Sequence, residues 1–105
     1  MVILPLQETI LNIRYDAPDE VWEKISRIYE KMPGWLGFAS NNIPYWFSEE
    51  EDGSNKMVCA SVEPAGLQLN GYMNHTEWEP WIETFKELAS KELSFNVGDV
   101  RDGFV

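Results

Sequence analysis

The chain has 105 residues and a formal net charge of -10, from 18 acidic and 8 basic side chains. Phosphate backbones and anionic lipid surfaces are bound through clustered Lys and Arg, so this balance argues against direct nucleic-acid binding and against a membrane surface. A hydrophobic share of 44% with five Trp argues against disorder, and a single cysteine, Cys59, excludes an intramolecular disulfide.

The length suits one domain, residues 1-105, around a single core. The opening Met1-Val2-Ile3-Leu4-Pro5-Leu6 lacks the basic lead and apolar run of a secretion signal. Together with the lone thiol, this gives a cytoplasmic expectation. Thr9, Leu11, Ile13 and Tyr15 alternate with Ile10, Asn12 and Arg14, the period of a half-buried strand. Asp16-Ala17-Pro18 ends that strand, with Asp16 as the expected cap of a helix. The helix is marked by Val21, Trp22, Ile25, Ile28, Tyr29 and Met32 at spacings of three and four, and Pro33-Gly34 stops it.

Trp35 to Pro44 shows neither helical nor strand period and reads as a loop carrying aromatic anchors. Tyr45 to Ser48 and Lys56 to Val62 read as antiparallel strands around an acidic turn, Glu49 to Asn55. Pro64-Ala65-Gly66 turns the chain into a third strand, in which Leu67, Leu69 and Gly71 alternate with Gln68, Asn70 and Tyr72. Thr76-Glu77-Trp78-Glu79 has the form of a capping box opening a second helix, whose apolar positions are Trp78, Trp81, Ile82, Phe85, Leu88 and Ala89. Leu93, Phe95 and Val97 predict a last strand.

The expected order is therefore βαβββαβ. It predicts an α+β two-layer sandwich, a largely antiparallel five-stranded sheet with two helices on one face. The helix side should hold Leu11, Ile13, Val58, Ala60, Val62, Leu67, Leu69, Phe95 and Val97. The open side should carry Asn12, Arg14, Trp46, Met57, Ser61, Gln68, Asn70, Tyr72, Ser94 and Asn96.

No spacing of glycines matches a phosphate loop, and one His with one Cys cannot supply the four ligands of structural zinc, so no cofactor or metal is expected. Glu49-Glu50-Glu51-Asp52-Gly53 has the charge of a cation loop without calcium-binding spacing. Two readings of it stand: a solvated hairpin tip, or an electrostatic grip on Lys and Arg of a partner. Beside it, Trp35, Tyr45, Trp46 and Tyr72 are candidate partner-binding anchors, since uncovered aromatics ringed by charge are the makings of an interface hot spot.

This size, acidity and aromatic content, with no recognisable catalytic set, resembles the small immunity proteins that neutralise bacterial nuclease toxins. The resemblance is one of texture and covers no aligned segment. It implies a non-enzymatic, cytoplasmic inhibitor that occludes the cationic cleft of a basic, nuclease-like toxin, and it transfers no inhibitory residue onto a numbered position. Two alternatives remain: a small enzyme or ligand-binding domain with a pocket near His75 or Cys59, and a homodimer in which a second sheet covers Trp46, Met57 and Tyr72.

Overall fold

The computed structural model describes residues 3-105. The elements are β1 (Leu6–Leu11), α1 (Asp19–Lys31), β2 (Trp35–Phe38), β3 (Pro44–Trp46), β4 (Met57–Glu63), β5 (Gly66–Tyr72) and α2 (His75–Leu93), then a short 3-10 turn at Val100–Asp102. The strands form one antiparallel sheet in the order β1-β5-β4-β3-β2. Both helices contribute to the core that covers one face. The α+β sandwich of five strands and two helices is thus the observed architecture.

Pleating decides which side chains meet the helices. The pairs Trp46↔Val58, Ala60↔Leu69 and Leu11↔Leu67 share a face with Trp78, Trp81 and Phe85 of α2 and with Ile25, Ile28 and Tyr29 of α1. Fully burying each large apolar side chain contributes about 1.5–3 kcal/mol, which makes this the main source of stability. Gly66 lets β4 turn into β5 tightly beside β1: its φ is +146°, and a Cβ there would lie 2.1 Å from the Leu11 carbonyl oxygen.

Two elements differ from expectation. Trp35–Phe38 is an edge strand, its period broken by a bulge between Trp35 and Gly37. The expected last strand does not form. Helix α2 runs on to Leu93 and ends at Ser94 in the left-handed region, and the following segment is held mainly by side chains. The Ser90 hydroxyl accepts from the Val97 amide, the Asn12 side chain bridges Asn96 and Gly98, and only Leu11↔Asp99 forms a backbone bridge.

The expected caps also differ. Asp16 binds the Arg14 guanidinium at 2.9 Å, and α1 starts after Pro18 with no side-chain cap. Helix α2 starts one residue before Thr76, after Asn74, again without a side-chain cap, so the capping box is not made. Strand β3 stops at Trp46 because Phe47 turns to a φ of +70°. Phe95 and Val62, expected in the core, are exposed, and Asn12 and Trp46, expected on the open face, are buried.

Beyond β1, the Asp99 carboxylate covers the outer edge of the sheet. It accepts from the Thr9 hydroxyl at 2.9 Å, the Ile10 amide at 3.3 Å and the Arg101 amide at 2.7 Å. The Arg101 guanidinium returns to Asp99 at 2.7 Å and reaches Glu8 at 3.3 Å. An uncovered strand edge invites pairing with other chains, and this strap closes one of the two.

Candidate functional site: an acidic turn on the open sheet face

The strands contain no Lys or Arg. Strict alternation from the observed pairs places Leu6, Glu8, Ile10, Gln68, Asn70, Tyr72, Met57, Cys59, Ser61, Glu63 and Tyr45 on the face away from the helices. Against this face lies the β3–β4 connection, which carries Glu49, Glu50, Glu51 and Asp52. The strands and this connection together hold six carboxylates and one cation, Lys56. Lys56 is drawn toward α2: its ammonium binds Glu77 at 3.2 Å and stands 4.5 Å from the centre of the Phe47 ring. Arg101, at the margin of β1, is engaged by Asp99 and Glu8. The strands of this side carry no cation of their own, and the two nearest among the described residues, Lys56 and Arg101, are each paired with carboxylates.

The turn is held in shape by its own polar side chains. Ser48 Oγ accepts from the Glu50 amide at 3.0 Å, and Asp52 Oδ1 accepts from the Ser54 amide at 3.0 Å and its hydroxyl at 2.6 Å. Those Ser54 bonds hold the Asp52 carboxyl below its ordinary pKa. Asn55 donates to Glu50 at 3.3 Å. Gly53 then presses the connection onto the sheet. At φ +81° it lies over Tyr72, whose ring a Cβ would approach to 3.1 Å, and its carbonyl accepts from the Leu4 amide at 2.9 Å.

Glu51 differs from its neighbours in pointing its carboxylate back to the sheet. It accepts from the Tyr45 hydroxyl at 3.0 Å and the Cys59 thiol at 3.8 Å. Burial, with the Glu51 charge adding to it, pushes the Cys59 thiol up to about 11, and burial likewise raises Tyr45. A thiol so placed stays protonated at neutral pH and is a poor nucleophile. Glu49, Glu50 and Asp52 face solvent.

The four candidate aromatics do not share this surface. Trp46 is 0% exposed on the helix side, where its indole N–H donates to the Tyr29 carbonyl at 3.0 Å. The reason is register: Trp46 opposes Val58, a core residue, so the two must share a face. Trp35 is half-buried on the same side and packs 5.4 Å from the Trp46 ring centre. Tyr45 is buried with Met57 and Cys59 beneath the turn, and Tyr72 packs half-buried against them. Only Tyr72 therefore keeps accessible ring surface beside the carboxylates. The placement of Trp35, Tyr45 and Trp46 as uncovered anchors is corrected.

His75 and Cys59 are not brought together. His75 is exposed at the start of α2, 3.5 Å from Glu79, whereas Cys59 lies on the open face under Glu51. Among the described residues no group of three or more His, Cys, Asp or Glu is placed to hold a metal ion, and no helix is long and apolar enough to cross a membrane. Sequence reasoning did not single out Glu8, and it named Glu63 only as a possible member of an unspecific carboxylate pair with Glu77 or Glu79. The signal for both was available in the alternation of β1 and β4, which puts each carboxylate on the open side.

Set against known proteins, the chain matches no family model, no curated protein and no solved structure.

Proposed function

We propose that this protein is a non-enzymatic binding protein that seats its open sheet face and acidic turn on a cationic surface of a partner protein, as an immunity-type inhibitor would on a nuclease-like toxin. The observation that carries the reading is the arrangement of charge: a hydrogen-bonded turn presenting Glu49, Glu50 and Asp52 over one end of an open face that also carries Glu8 and Glu63, on strands without a single Lys or Arg. A turn already fixed in shape loses little conformational freedom on docking, so more of the Coulomb attraction is retained as affinity. Gln68 and Asn70 supply amides at the centre of the face, with the Gln68 amide donating to Asn70 at 3.2 Å, and Tyr72 supplies a half-buried ring. The partner's basic cleft would be occluded by carboxylates standing where phosphates would otherwise bind, in the bacterial cytoplasm if the partner is a toxin of that class.

The test is charge reversal. Glu49→Lys, Glu50→Lys and Asp52→Lys together should slow association with a partner captured from the native host by about ten- to a hundredfold at low salt, with far less effect on dissociation. Unchanged association at low salt would remove the electrostatic role.

A further inference from the structure

The Asp99 strap closes the β1 edge of the sheet, but β2, at the other end of the strand order, has no strand beyond it among the described residues. The pairing with β3 shows which backbone groups that edge presents. The Gly34 carbonyl accepts from the Phe47 amide at 2.8 Å, and the Ala39 amide donates to the Ile43 carbonyl at 2.9 Å, so Gly34 and Ala39 face β3. Bonded and non-bonded positions alternate in an antiparallel pair. Trp35, opposite Trp46, and Phe38, opposite Pro44, therefore turn their N–H and C=O outward. Pro44 agrees with this, having no N–H to offer Phe38. Residues three apart would ordinarily point opposite ways, and the bulge between Trp35 and Gly37 takes up the odd residue and sets both outward.

Edges left in water are commonly guarded by Lys, by Pro or by an inward charge. Trp35–Phe38 has none of these, and no charged residue occurs from Met32 to Ser48. Leu36 and Phe38 are 54% and 53% exposed. The charge of the chain lies elsewhere. Of its 18 acidic side chains, residues 19–48 hold only Asp19, Glu20, Glu23 and Glu30, nearly balanced by Lys24, Arg27 and Lys31. Strands β4 and β5 are also poor in charge, but they are paired on both sides and their open face carries the acidic turn. A two-fold interface sets each patch against its own copy, so a patch of one sign repels itself, whereas an uncharged apolar patch is self-complementary. On the β2 edge a second copy meets this acidic protein without bringing like charges together.

We infer that a second copy of this chain pairs with β2 across a two-fold axis, joining two five-stranded sheets edge to edge. In antiparallel register centred between Leu36 and Gly37, Trp35 of each copy meets Phe38 of the other, and each such pair exchanges two hydrogen bonds. Both rings lie on the helix side, 5.4 Å apart within one chain and close to Tyr29, so aromatic pairs continue across the seam. Leu36 stands at the axis beside its own copy and loses its exposure to water. An axis perpendicular to the sheet keeps both open faces on one side, so the dimer presents two acidic turns in one direction. The seam is separate from those turns and does not rest on the reading of a cationic partner.

The test is sedimentation equilibrium of the full chain up to about 1 mM, with amide NMR and hydrogen exchange followed over the same concentrations. A monomer–dimer equilibrium is expected, with concentration-dependent shifts centred on Trp35–Phe38. Exchange of the Trp35 and Phe38 amides should slow about tenfold once about nine-tenths of the chains are dimeric. Leu36→Lys, at an exposed position, places two cations at the axis and should weaken dimerisation at least about tenfold, with an unchanged far-UV circular dichroism spectrum. If that variant does not fold, the exchange of the unaltered chain decides. A monomer at every concentration would overturn the inference and leave the edge to a strand of another protein. So would a dimer whose shifts centre on Cys59, Ser61, Gln68 and Asn70, since that seam is the open face. Slow exchange of the two amides at all dilutions would overturn it by showing them bonded within one chain, and full dimerisation of folded Leu36→Lys would overturn it as well.

Discussion

Replacing Asp99 by Asn tests how the sheet edge is closed and gives a stability change with a defined pH dependence. Asp99 is 7% exposed and accepts from Thr9, Ile10 and Arg101. Arg101 is half exposed, so water replaces much of what it loses, and the cost comes mainly from the Thr9 hydroxyl and the Ile10 amide. Each bond to a charged acceptor contributes about 1.5–3 kcal/mol, and the Asn carbonyl keeps part of one, so the variant should be less stable by about 2–3 kcal/mol at neutral pH. The hydrogen bonds from Arg101, followed by those from Thr9 and Ile10, hold the Asp99 carboxyl far below the ordinary carboxylate range. A carboxyl depressed on folding stabilises fully above its unfolded pKa, about 3.9, and loses that contribution as pH falls toward the folded value. Asn carries no such proton. Urea unfolding followed by circular dichroism should therefore show a gap between the two proteins that is constant from neutral pH to about 5 and narrows below about 4. A gap under about 0.5 kcal/mol at neutral pH, or one that stays unchanged at low pH, would refute the reasoning.

Cys59 should react with thiol reagents far more slowly than a free cysteine at neutral pH, speeding up only as pH approaches its raised pKa of about 11, and Glu51→Gln should accelerate the reaction by removing the adjacent charge. A rate near that of unfolded protein at neutral pH would contradict the burial described. Trp46→Ala should cost about 3–5 kcal/mol, as expected for an aromatic removed from a sealed core, whereas a surface anchor would cost stability little. Gly66→Ala should cost well over the ~1 kcal/mol of an ordinary glycine replacement, because a methyl cannot fit beside the Leu11 carbonyl, and a denaturant midpoint near that of the parent would sink that account.

Strong local periodicity carried much of this fold. Helix α1 was legible from its apolar spacing, and β4 with β5 from alternation around Pro64-Ala65-Gly66, since each pattern has one dominant period. Strand β2 was not, because the bulge at Gly37 shifts its phase after two residues. The segment after α2 alternates like a strand, yet its bonds come from Ser90, Asn12 and Asp99 side chains, a distribution that no local pattern encodes. The site was divided in the same way. The acidic turn was visible as a run of charge, but the faces of Trp46 and Tyr45 depend on which residue of β4 each one opposes. That register is a tertiary fact, and an error of one residue moves a ring from surface to core.

The most direct measurement is an amide NMR map of the protein bound to a partner captured from its native host. The account predicts that the largest perturbations fall on Glu49–Asp52, Glu8, Gln68 and Asn70. Perturbations confined to the outer surfaces of α1 and α2, with the turn and the open sheet face unchanged, would contradict it.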